Sequence, residues 1–161
     1  MCHWKYRSLA ILAVLLALPL QAGAASTFKR IDLSAPSGTC CFAYAVNHVG
    51  QVAGGNESPA GNKAFLWDPA GGMTELGVLP GGTQSTAHGL NDKGLVVGES
   101  VMRDGTRAFA WDRDGGMREL DMLPGGARSN AYGVNEHGQV AGFSDTPKGA
   151  RAVLWDLAGG T

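Results

Sequence analysis

Trp67, Trp111 and Trp155 are spaced by 44 and 44 residues, and so are Asn47, Asn91 and Asn135, with no insertion between copies. A chain that repeats at such a period folds as one supersecondary unit stacked on copies of itself, because a single unit cannot bury its own apolar face. Thirteen positions are identical in all three copies, among them Ala43/Ala87/Ala131, Gly50/Gly94/Gly138, Val52/Val96/Val140, Gly54/Gly98/Gly142 and Asp68/Asp112/Asp156. Most are Gly, Pro, Asn or Trp, so the copies preserve a shape. No reactive group recurs except the Asp after each Trp.

Each unit reads as short strands. Ala87–Leu90 and Leu95–Val97 flank Asn91-Asp-Lys-Gly94, where the Asn side chain can accept from the backbone two residues on and the Gly supplies a positive φ. The spacing predicts a third strand over Arg107–Trp111, a Gly115-Gly116 turn, and a fourth strand over Met117–Leu120. No stretch sustains a 3.6-residue apolar period, so no helix is expected beyond the N-terminal segment. Four short strands per unit, the third ending in Trp-Asp, is the arithmetic of a β-propeller blade. The expectation is an all-β chain of tandem four-stranded, propeller-like repeats at about 31–74, 75–118 and 119–161, in an incomplete, open array. Propellers typically close with about four to eight blades. Thr161 falls where Met73 and Met117 open the fourth strand, so the chain is expected to be a piece of a longer repeat protein or to associate with itself through open sheet edges. The Trp of each unit is expected to fill the space between neighbouring units, Trp111 being buried there and Trp155 less covered.

Residues 1–24 read as an export signal, a helix removed after Ala24, followed by a short linker over 25–30. Lys5 and Arg7 precede an apolar run from Leu9 to Leu20, and Ala22-Gly23-Ala24 supplies the small-x-small site. A run of 12 residues is shorter than the ~20 a membrane span needs, so the mature chain is expected in the periplasm or outside a bacterial cell, with no membrane span. Cys40 and Cys41 are adjacent. Neighbouring Cα atoms lie ~3.8 Å apart, short of the ordinary span of a disulfide, so the pair reads as two small residues, with a bridge to another chain left open. A net charge of −1 with 17% charged residues supplies no long-range attraction to nucleic acid.

The segments Leu79–Asn91, Gly94–Gly98 and Arg107–Trp111 together resemble the HAF repeat of bacterial extracellular proteins, over roughly residues 31–161. The His that names that family is Lys63, Arg107 and Arg151 here, and its Phe is Val153 in the third copy. The resemblance implies export and a repeated β-architecture, and carries no activity. WD-repeat propellers share the Trp-Asp step, but their Gly-His step is missing.

Candidate chemistry is sparse. His48 and His137 occupy Asn-x-x-Gly turns at different offsets, and His88 takes a strand position held by Tyr44 and Tyr132. Such scatter offers no common metal geometry, and all three read as surface residues of turns. Asp112-Arg-Asp114-Gly115 has alternate carboxylates as a calcium loop does, but the other copies lack the second one, so Asp112 reads as a turn starter. Lys63, Arg107 and Arg151 share one repeat position and read as solvated strand ends. No Gly-x-Ser-x-Gly or other nucleophile motif occurs. No catalytic, cofactor-binding or metal-binding residue is therefore assigned. The leading expectation is a secreted, non-catalytic binding or structural module presenting blade-edge loops to a protein or glycan. The alternatives are a propeller-based lyase or hydrolase, and a fragment without a function of its own.

Overall fold

The computed structural model describes residues 28–33, 41–57, 59 and 61–157, and all regular structure among them is β-strand. The expected signal segment, Cys40 and the Gly159-Gly160 turn lie outside the described residues. Contacts divide the chain into Met1–Ile31, of which only 28–31 are described and carry no strand, and Asp32–Thr161, which holds every described strand. No helix among the described residues is long and apolar enough to cross a membrane.

Three antiparallel sheets follow one another along the chain, and none closes into a barrel. The first is the meander β1 (Cys41–Val46), β2 (Val52–Asn56), β3 (Lys63–Asp68) and β4 (Gly72–Gly77). The second is β5 (Gln84–Leu90), β6 (Val96–Met102), β7 (Gly105–Asp112) and β8 (Gly116–Glu119), and the third is β9 (Ser129–Val134), β10 (Gln139–Thr146) and β11 (Gly149–Asp156). Val52, Val96 and Val140 pair with Trp67, Trp111 and Trp155 respectively, so the second and third strands keep one register in every sheet.

The turns form as the residues dictate. Asn91 Oδ1 accepts from the N–H groups of Lys93 and Leu95, and Asn135 Oδ1 from those of His137 and Gln139. Gly50, Gly94 and Gly138 close these turns at φ of 82°, 77° and 78°, a region other residues enter only with strain. Asp112 Oδ1 likewise accepts from the N–H groups of Asp114 and Gly115 before β8 begins.

The core lies between sheets. One buried cluster joins Leu66, Leu76 and Leu79 of the first sheet region to Ala87, Leu90, Val96 and Phe109 of the second. Another joins Val97, Ala108, Ala110 and Leu120 to Ala131 and Val140. Phe65 and Phe109 are fully buried, whereas Trp111 and Trp155 are only partly covered. The Trp expectation is thus corrected in two respects. The shorter Phe fills the interior, and each of these Trp rings lies against the cluster shared with the preceding sheet. Trp155 consequently keeps its packing, and its indole N–H donates to Asp121 O at 2.7 Å.

Buried hydroxyls fasten one sheet to the next. Ser85 Oγ accepts from Ala64 N (2.8 Å) and Ser129 Oγ from Ala108 N (2.9 Å), across each junction in turn. Both serines are fully buried, so their hydrogen bonds replace water that those N–H groups cannot reach.

Candidate functional site

The first strand of every sheet carries a bulge at the same place. Ala43 pairs with Gly54 and Ala45 with Ala53; Ala87 pairs with Gly98 and Gly89 with Val97; Ala131 pairs with Gly142 and Gly133 with Ala141. The residues skipped are Tyr44, His88 and Tyr132. An extra residue in one strand bends the backbone and re-aims its own side chain, and here it turns three rings toward each other. Tyr44 and His88 have centroids 5.7 Å apart, His88 and Tyr132 5.9 Å, and Tyr132 continues to Phe143 at 6.1 Å. The tilted arrangement and spacing are those favoured by aromatic pairs.

The recurring glycine of the second strand makes the bulge fit. A Cβ at Gly54, Gly98 or Gly142 would stand 1.9, 2.0 and 2.0 Å from the carbonyl oxygens of Phe42, Thr86 and Asn130. The first strand can press this close only against a residue without a side chain.

Polar groups border the row. Glu99 Oε2 accepts from Asn130 Nδ2 at 2.9 Å, and Glu99 Oε1 lies 3.8 Å from His88 Nε2, beyond hydrogen-bond range. Thr86 Oγ1 accepts from Asn62 Nδ2 at 2.9 Å. His88 Nε2 and Asn130 Oδ1 are both enclosed and have no hydrogen-bond partner among the described residues, which is costly for buried polar atoms unless something completes them. Tyr44 and Tyr132 remain 54% and 56% exposed. The result is a row of three rings, its two tyrosines exposed and its histidine partly covered, with the Glu99 carboxylate beside it.

A second row is structural. Asn47 Nδ2 donates to Asn91 O, and Asn91 Nδ2 to Asn135 O, each at 3.0 Å. The same side chains that close the turns therefore also tie neighbouring sheets together. His48 N donates to Asp92 Oδ1 and Asp92 N to Glu136 Oε1 in the same stack.

The other candidates fall into structural places. Lys63 Nζ donates to Thr83 O and Arg107 to Ala127 O, so both reach from one sheet to the loop before the next, while Arg151 is exposed. Both oxygens of Asp112 are engaged, one by turn N–H groups and the other by Arg118. The Arg118 hydrogen bond, then the Gly115 N–H, hold the Asp112 carboxyl below the usual carboxylate range; a hydrogen bond from Gln51, then the Ala70 N–H, do the same for Asp68. Cys41 Sγ lies 3.3 Å from Asn56 Oδ1.

His88 is the correction at this site. It occupies the strand position expected of it, in β5, but is held between two tyrosines, so its grouping with the surface residues of turns does not hold. The available signal was the shared repeat position of Tyr44, His88 and Tyr132 together with the recurring glycine opposite. A strand pattern read with a strict period of two does not register a bulge. No protein-family model, curated protein or solved structure matches this chain.

Proposed function

We propose that the chain is a non-catalytic, exported binding module built of propeller-like blades in the manner of HAF-repeat proteins, and that its ligand is a glycan lying along Tyr44, His88 and Tyr132. The observation that carries this reading is the repetition of one bulge in three sheets, which gathers the rings into a single exposed row. Rings present apolar faces to the C–H faces of a sugar. Glu99, whose side chain is 27% exposed, borders them with the acceptors that hydroxyl groups require. Blade-edge loops are replaced in this reading by the first strands as the contact surface.

Affinity electrophoresis through gels containing soluble polysaccharides, followed by calorimetry on those that retard the protein, tests the proposal. Tyr132→Ala is expected to weaken binding about tenfold, equivalent to ~1.4 kcal/mol, with no sugar released during incubation. Binding that is unchanged in both Tyr44→Ala and Tyr132→Ala would remove the row as the site, and release of reducing sugar would replace the module by an enzyme.

A further inference from the structure

The outer faces of the first and third sheets carry the two apolar halves of a junction that the chain already makes twice, with Cys41 standing where Ser85 and Ser129 take part in the internal ones. At both internal junctions an Asn amide donates to the carbonyl of the Asn in the next sheet. A buried Ser receives the N–H of Ala64 or Ala108, and the third strand presses Leu66 or Ala110 inward, 4% and 0% exposed. In the third sheet that third-strand position is Leu154, which is 65% exposed.

The first sheet holds the receiving half. Leu66 is buried in one cluster with Ala87, Leu90 and Val96. Ala43, Val46 and Val52 stand at the same repeat positions in the first sheet, where they line an open apolar hollow with Leu33 and Ala45. Val46 is 69% exposed. Leu154 therefore projects from one face, and the hollow that matches it opens on the other. A second pair of positions agrees. Glu99 and Asn130 bond across the second junction, and the equivalent residues on the outer faces are Phe143 and Phe42, so apolar would meet apolar there as well. Phe42 is 46% exposed.

We infer that two copies of this chain join head to tail through these faces, Leu154 of each copy seating in the Val46 hollow of the other, to close a ring of six sheets. Such a contact uses a different patch on each side, so it grows without limit unless rotation closes it. The contact rests on the matching faces. Closure at two rests on the blade reading proposed above, since such arrays typically close at about four to eight blades.

Sedimentation velocity on the purified protein over a wide concentration range tests this. A monomer–dimer equilibrium is expected. Leu154→Arg and Val46→Glu, both at exposed positions and with circular dichroism as the check on folding, should each raise the dissociation constant at least about thirtyfold. An equimolar mixture of the two variants should dimerise again. One junction then has native residues on both sides, and the other sets opposite introduced charges face to face. Should either variant fail to fold, Phe42→Lys mixed with Phe143→Glu makes the same crossed comparison. A protein that stays monomeric throughout, or variants that mixing does not rescue, would overturn the contact and leave the glycan proposal standing. An open-ended series of oligomers would overturn closure at two and the blade reading together.

Discussion

Gly98 faces the carbonyl of Thr86 so closely that an added methyl group would lie 2.0 Å from its oxygen. Gly98→Ala should therefore lower stability by at least about 3 kcal/mol, because the strand must move or the bulge must straighten. Gly133→Ala is the control: beyond the adjacent residues nothing described lies within 4 Å of the added Cβ, and the change should be close to neutral. Urea titrations of both variants decide it. At the same scale, the depressed carboxyls of Asp68 and Asp112 set a pH dependence. A folded-state pKa below the unfolded value contributes stability that is fully present above the unfolded value, near 3.9, and is lost as pH falls through the folded one. The melting temperature should decline below about pH 4, and Asp112→Asn should make that acid limb shallower. Because Gln51 and Arg118 supply the leading hydrogen bonds, Gln51→Ala should diminish the part due to Asp68.

Turns and junctions are governed by the same few side chains at the scale of elements. Asn91 is 3% exposed, closes the β5–β6 turn and donates to Asn135 O. Asn91→Ala removes all three bonds, whose backbone partners are part-buried and turn in part to water, for a cost of about 1–3 kcal/mol. Asn135 is exposed and its amide turns instead to Gln139 of its own loop at 2.9 Å, so Asn135→Ala should cost less. Ser129→Ala strands the Ala108 N–H in the interior and should cost about 1–3 kcal/mol, although the side chain is among the smallest in the core. The strands and both kinds of turn were legible from the Asn-x-x-Gly and Asp-x-x-Gly patterns. The bulges were not, because an unpaired residue leaves the composition of a strand unchanged.

Across the whole molecule, sheets rely on one another more than on any interior of their own. Phe109 is fully buried and belongs to the cluster shared by the first two sheets. Phe109→Ala should cost about 3–5 kcal/mol and, by weakening the contact between these two sheets, should make unfolding less cooperative. Trp155→Ala should cost no less than Trp111→Ala, since both rings lie against a cluster shared with the preceding sheet and Trp155 adds its bond to Asp121. Chemical denaturation of both variants, followed by circular dichroism, makes that comparison.

The repeat by itself determined that the chain is all-β, that its sheets come in a recurring series, and where most of the strands and turns lie. These are local matters: a glycine that needs positive φ or an Asn that closes a turn acts on residues within five positions. The tertiary structure alone decided which way each Trp faces, which serines bridge the sheets, and that Tyr44, His88 and Tyr132 form one row. Those residues lie 44 apart in sequence. Only the stacking of neighbouring sheets, with the bulge set opposite a glycine, brings their rings to 5.7 and 5.9 Å.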